Sequence, residues 1–192
     1  MLTRKDWTIK NAPLAYEVTK GTGIYPETLL AMAIVESQGK VNGIFYPGAG
    51  LVARKANNYF GIKKGVNWQG QTISLPTPGD ADKISVFRVY NNFEESAKDY
   101  INFLKRNKRY ERAGVFNAPN YQEQIINIAR AGYAESTNYA NVITSVANSV
   151  KKNIENLILE PLKKNNKIIP LLIGGLIVSL YILKNKIYGE VL

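Results

Sequence analysis

Pro26-Glu27-Thr28-Leu29-Leu30-Ala31-Met32-Ala33-Ile34-Val35-Glu36-Ser37-Gln38 is the stretch on which the fold turns. Proline at a first-turn position, with Glu27 beside it, suits the start of a helix. Leu29, Met32, Ala33 and Glu36 then recur at helical spacing, which sets the Glu36 carboxylate on the apolar stripe. A glutamate on a buried face costs free energy unless something offsets it, and desolvation raises its pKa. A raised carboxyl pKa is what a general acid needs near neutral pH. The plain alternative is a helix that frays at Glu36-Ser37-Gln38-Gly39 and leaves the carboxylate in water.

Composition narrows the chemistry. The 192 residues include no cysteine and no histidine. Disulfide frameworks, Cys nucleophiles, Ser-His triads and ordinary zinc sites are therefore excluded, and no metal or cofactor is expected. Acid–base work falls to carboxylates, Tyr or Lys, which favours a glycosidase over most other hydrolases. The net charge of +10 suits polyanionic partners. Nucleic acid is not expected as the main one, because no zinc-finger spacing, RNP-like motif or basic heptad helix is present.

Working outward, helical patterns dominate. Leu14 to Thr19 follows Pro13 and closes at Lys20-Gly21-Thr22-Gly23. Gly39 through Gly50 reads as loop, broken by Gly43, Pro47, Gly48 and Gly50. Gln71 to Leu75 and Lys83 to Tyr90 read as a small hairpin around Pro76-Thr77-Pro78-Gly79-Asp80. Helices follow at Phe93 to Arg106, Tyr121 to Arg130 and Asn138 to Leu159, with Asn91 or Asn92 capping the first and Ser136 or Thr137 the last. The fold class is α+β, mainly α, with a small β-hairpin lobe.

Four ordered segments carry a resemblance. Ala56-Asn57-Asn58-Tyr59-Phe60-Gly61-Ile62-Lys63 is the most distinctive, and Leu29 through Ser37 ends in Glu-Ser. Phe87-Arg88-Val89-Tyr90 leads into Glu94-Glu95-Ser96, and Gly132-Tyr133-Ala134 into Asn138-Tyr139-Ala140. Together they resemble glycoside hydrolase family 73, peptidoglycan β-N-acetylglucosaminidases with a lysozyme-like fold. The resemblance implies that Glu36 is the general acid and that Tyr133 faces it across the cleft. It also implies that Asn58, Phe60 and Tyr139 line or support the sugar site, although Asn58 fits a structural role in its loop as well and Phe60 suits the core better. Trp68 offers either a sugar-stacking face or a core residue. Family members often carry a second acid after a Leu-Pro-Thr-like stretch. Here Leu75-Pro76-Thr77 is followed by Pro78, so Asp80 or Asp82 stands in, with Asp80 preferred. Pro-Gly-Asp is also common turn chemistry. Muramidase or lytic transglycosylase cleavage stays open, as does a non-catalytic wall-binding or structural membrane protein.

The C-terminal part adds an anchor. Ile168 to Leu183 is uncharged and flanked by Lys163, Lys164, Lys167, Lys184 and Lys186. Snorkelling lysines make such a run long enough for a lipid bilayer of about 30 Å. The expected organisation is a catalytic domain over 1–160, a basic linker over 161–167, a membrane span over 168–183 and a short tail over 184–192. The N-terminal residues have no signal-peptide character. The lysine balance leaves the domain on the cytoplasmic side, away from peptidoglycan. Delivery by a lysing phage or from a virion membrane resolves that conflict.

Overall fold

The computed structural model describes residues 1–77, 79–134 and 136–164. Helix α1 (Arg4–Thr19) begins earlier than the sequence pattern suggests, because Thr3 caps it by accepting the Asp6 N–H. Pro13 lies inside this helix and is exposed, so the carbonyl it frees is on a side where water can replace the lost donor.

Helix α2 (Pro26–Ser37) forms where expected but is not amphipathic. Pro26 through Ile34 are all buried, so the stripe inferred from Leu29, Met32 and Ala33 has no polar counterpart. Burying Leu29, Leu30, Met32 and Ile34 contributes about 1.5–3 kcal/mol each.

The loop expected after α2 contains a hairpin, β1 (Gly39–Val41) with β2 (Ile44–Tyr46). Its turn is Asn42-Gly43, both at positive φ (50° and 82°), the geometry of a two-residue primed turn. Helix α3 (Leu51–Ala56) comes next and ends on Asn57, which is also left-handed. Strands β3 (Thr72–Thr77) and β4 (Asp80–Arg88) make the second hairpin, longer at its tip than the sequence suggested. Pro76 pairs with Ile84 there, tolerated because a two-stranded sheet has only edge strands.

Helices α4 (Phe93–Arg106), α5 (Lys108–Arg112), α6 (Tyr121–Arg130) and α7 (Tyr139–Lys164) complete the chain, with a 3-10 turn at Val115–Asn117. Asn92 and Asn120 cap α4 and α6 through their side chains. Helices α1, α6 and α7 pack around α2. Buried Gln124 ties α6 to the start of α2: its amide donates to Gly23 and Val115 carbonyls, and its oxygen accepts the Tyr25 N–H.

Helix α7 runs through Pro161 to Lys164, so the first part of the expected linker is helical. No helix among the described residues is long and apolar enough to cross a membrane. The expected span at 168–183 and the tail at 184–192 lie outside the described residues.

An ion cluster locks the β3–β4 hairpin to α4. The Asp99 carboxylate accepts from Arg88 at 2.7 Å, from Arg106 at 3.0 Å and from the Tyr90 hydroxyl at 2.7 Å. Burial pushes its pKa up, but these three donors outweigh burial and hold it below the usual carboxylate value. Asp99→Ala would strand the half-buried Arg88 charge. The expected loss is about 3 kcal/mol in urea unfolding, against less than about 1 kcal/mol for removing the exposed Lys98–Glu94 pair. Equal midpoints for the two variants would contradict this.

Candidate active site

Glu36 occupies the last turn of α2, the first position at which that buried helix meets solvent. The backbone beyond it is held tightly. The Ser37 hydroxyl donates to the Ala33 carbonyl and accepts the Gly48 N–H at 2.9 Å, while the Ser37 carbonyl accepts the Gly50 N–H at 2.8 Å. The chain passes so close that a Cβ on Gly39 would lie 2.5 Å from the Ala49 carbonyl. Glycine there is a packing requirement, and the 48–50 loop fixes where α2 ends.

The Tyr139 hydroxyl, from the first residue of α7, donates to Glu36 Oε1 at 2.7 Å. That hydroxyl also lies 3.3 Å from Met32 Sδ. The Tyr139 ring stacks on Tyr133 at 5.8 Å, and Tyr133 meets Tyr100 edge-on at 6.0 Å. Tyr100 in turn lies flat on Phe60 at 4.2 Å. Its hydroxyl is fully buried with no hydrogen-bond partner among the described residues.

These surroundings act on the carboxyl in opposite directions. Glu36 is open to the cleft on one side, yet protein atoms crowd its carboxylate on the others. That desolvation raises its pKa, and the Tyr139 hydrogen bond pulls it part of the way back. No basic group is among the influences on it. Its place at a helix C-terminus disfavours the charged form further. The phenols respond in kind. Burial first, then the Glu36 charge, drives Tyr139 far above the ordinary tyrosine value, and Tyr133 is raised by burial, Tyr100 and Glu36. Both stay neutral phenols, Tyr139 donating to Glu36 and the Tyr133 hydroxyl lying 3.5 Å from the Phe60 carbonyl. The arrangement is a carboxyl poised to hold and release a proton in a partly dry, aromatic-walled cleft.

Of the residues singled out from sequence, Glu36, Tyr133 and Tyr139 come together. Tyr139 touches the carboxylate itself, so its geometry is that of a residue setting the acid.

The others are elsewhere. Asn58 is 1% exposed and fully engaged: its amide donates to the Ile62 and Arg88 carbonyls, and its oxygen accepts the Ile62 N–H. It staples its loop to the end of β4, with both amide hydrogens committed to backbone carbonyls. Phe60 is core, 3% exposed. Trp68 donates to the Gln71 carbonyl, and the Arg88 guanidinium covers one ring face at 4.7 Å. Asp80 and Asp82 are exposed near the far end of the β3–β4 hairpin, and neither is among the groups that influence Glu36. Among the described residues, no carboxylate is among the groups that influence Glu36.

Tyr100 was not singled out. In the sequence it is one more apolar-face residue of α4, in step with Phe93, Ala97 and Leu104, and its position under the acid is a tertiary fact. Among the described residues no cluster of carboxylates fit for a metal occurs.

A family model described as glucosaminidase, mannosyl-glycoprotein endo-beta-N-acetylglucosaminidase, matches residues 12–152. The peptidoglycan hydrolase FlgJ of Vibrio parahaemolyticus is 33% identical over 144 residues, 72% of this chain and 45% of its own length. The chain thus spans less than half of that relative. The solved glycoside hydrolase domain of Salmonella typhimurium FlgJ superposes with a TM-score of 0.66 at 26% identity, covering 87% of this chain and 100% of that domain. The catalytic domain of the autolysin Auto from Listeria monocytogenes shares the fold, with a TM-score of 0.60 at 21% identity over 80% of this chain and 88% of that one. The fold is lysozyme-like and mainly helical, with small β-hairpins.

Because Tyr139 donates to the charged form of Glu36, its loss raises the Glu36 pKa further. In Tyr139→Phe the carboxyl midpoint, tracked by 13C NMR, is expected at higher pH than in the parent chain. Any rate that needs protonated Glu36 would keep its alkaline limb to higher pH as well. A midpoint that stays or falls would show that the hydrogen bond is absent in solution.

Proposed function

The chain belongs to the glucosaminidase family, and on that premise we propose that it hydrolyses the β-1,4 glycosidic bonds of peptidoglycan glycan strands, cutting after N-acetylglucosamine. The observation that carries this reading is the Glu36–Tyr139 pair, a desolvated carboxyl on an exposed residue that a neutral phenol holds at 2.7 Å. Protonated Glu36 gives its proton to the leaving oxygen as the bond from the anomeric carbon breaks. The carboxylate so formed then takes a proton from water attacking that carbon.

Two-carboxylate schemes need a second acid near the scissile bond, about 5–10 Å away depending on the stereochemical outcome. No such group influences Glu36 here. The reading best suited to this cleft uses the substrate's own acetamido oxygen, which bonds to the anomeric carbon as the leaving oxygen departs and is displaced later by water. The Tyr133 phenol oxygen would accept from the N–H of that cationic intermediate, while Tyr139 keeps its proton on Glu36. Asp80 or Asp82 would take part only if the β3–β4 hairpin folded over the cleft. A second reading, lytic transglycosylase or muramidase cleavage, is favoured by the lone carboxylate. A non-catalytic wall-binding protein is the reading that a silent Glu36 would favour.

The proposal extends to delivery. The apolar run 168–183 would tether the domain to a lipid bilayer, in a phage-associated particle or at the host envelope. Flotation of the full chain with lipid vesicles, lost when the chain stops at 164, is the expected result. Equal flotation of both chains would remove the anchor from the proposal.

The deciding experiment digests purified peptidoglycan with the parent chain and with Glu36→Gln, and identifies the reduced products by mass spectrometry. Reducing N-acetylglucosamine ends are expected from the parent, with the rate falling by at least about 100-fold in the variant. Muramic or anhydromuramyl ends would move the cut to the other bond. Undiminished release by Glu36→Gln would dismiss Glu36 as the acid, and no release by either protein would dismiss hydrolysis.

A further inference from the structure

A second concavity lies away from the tyrosine cluster, in a pocket of about 510 Å³ between the first half of α1, the 47–49 loop, the end of α3 and the start of α4. Its aromatic lining is the half-buried Tyr59 with Trp7 and Phe93, which are only 5% and 8% exposed; the three rings pack on one another with centroids 5.0 to 5.9 Å apart. Lys10 and Arg54 also line it, and no acidic residue does. Neither cation forms an ion pair or side-chain hydrogen bond among the described residues. The Trp7 indole N–H and the Tyr59 hydroxyl also have no hydrogen-bond partner there. The Glu95 carboxylate accepts hydrogen bonds from the backbone and side chain of Asn91, a lining residue, and so has its charge met there. Unused donors of one charge sign around an aromatic wall are complementary to an anion carried on an apolar stem.

The pocket also has a fixed relation to the acid. Gly48, on its wall, donates to the hydroxyl of Ser37, the residue after Glu36. Chaining that bond to covalent geometry puts the Gly48 Cα within about 11 Å of the Glu36 Cα. An extended peptide of five residues reaches about 17 Å. A peptide branching from a strand held at Glu36 is therefore long enough to arrive here.

We infer that this pocket binds the acidic peptide that peptidoglycan carries on its glycan strand, with Arg54 and Lys10 meeting a peptide carboxylate and Trp7, Tyr59 and Phe93 covering its aliphatic part. The inference rests on the peptidoglycan reading above and deepens it, since such a pocket separates peptide-bearing strands from bare ones. Both cations are exposed on the rim, so the contribution is to substrate choice and KM.

The test has a binding arm that needs no turnover. With only two tryptophans, the 15N-labelled full chain gives two indole N–H signals, assigned with Trp68→Phe. The peptide L-Ala-γ-D-Glu-L-Lys-D-Ala-D-Ala is expected to shift the Trp7 signal saturably, and the double variant Lys10→Gln/Arg54→Gln to weaken that binding about five- to tenfold. The same variant should raise KM on intact peptidoglycan by a similar factor, leaving kcat unchanged and digestion of peptide-stripped strands unaffected. An unmoved Trp7 signal overturns the inference. So does an equal shift with inorganic phosphate, or an equal KM change on both substrates. If the chain cleaves no glycan, the peptide titration alone still decides the pocket, and only the hydrolytic reading falls.

Discussion

From Pro26 to Ile34 helix α2 gives every face to the core, and that constraint organises the rest. A helix buried all round cannot slide or rotate without breaking contacts on several sides at once, since interiors are close-packed. Its axis is therefore set by α1, α6 and α7 together, and its start by Gln124. Its end is set by the 48–50 loop, which presses against the backbone at 37–39 through glycine contacts that admit no side chain. Glu36 inherits this precision. A carboxyl whose position depends on the whole core is held more firmly than one carried on a loop.

Two carboxylates show how environment assigns roles. Asp99 is half-buried and receives two guanidinium donors and a phenol, so it stays charged and works as a structural tie. Glu36 receives one phenol and no cation, so burial dominates and its proton is held to higher pH. Glu27 belongs to neither class. It is buried at the start of α2, its Oε2 has no hydrogen-bond partner among the described residues, and burial outweighs both its own backbone N–H and Lys151 to raise its pKa. A raised acid in the folded state costs stability as pH climbs above its ordinary carboxylate value of 4.5. Glu27 and Glu36 therefore share a sign, and the native state loses stability to both as the solution becomes less acidic.

The legible parts of the fold were those with strong local signals. Helices α4 and α6 were read to the residue because an Asn cap and a clear apolar face mark each one. Asn42-Gly43 carried an equally strong hairpin signal, but its flanking strands are three residues each and too short to show alternation. Helix α2 was found with the wrong face pattern, since periodicity cannot distinguish a half-buried helix with few polar residues from a fully buried one. Tyr139 and Glu36 lie 103 positions apart, and only tertiary packing could reveal their hydrogen bond. In the most recognisable string, Asn57 through Ile62, the residues Asn57, Asn58 and Phe60 are architecture. Asn57 takes the left-handed turn and donates to the Tyr90 and Asn91 carbonyls, Asn58 staples Ile62 and Arg88, and Phe60 fills the core. A motif is read from residue identity, and identity is constrained as strongly by a buried backbone as by a substrate.

That architecture bears on the second catalytic group. The base of the β3–β4 hairpin is bound by Asn58 and by the Arg88–Asp99 pair, with Val52, Leu75 and Phe87 as a small separate core. Its tip, with Asp80 and Asp82, has none of these restraints. Bringing either aspartate to Glu36 would require bending the hairpin between a fixed base and a free tip, near the register shift at Pro76/Thr77. It would also place a second negative charge beside a carboxyl that has no cation to offset it, raising the pKa of one of the pair. On the glycan-cleaving proposal, a substrate acetamido group carries no such charge and would arrive already attached to the sugar to be cut. In a cleft built from one acid and neutral phenols, the neutral nucleophile is the electrostatically cheaper partner.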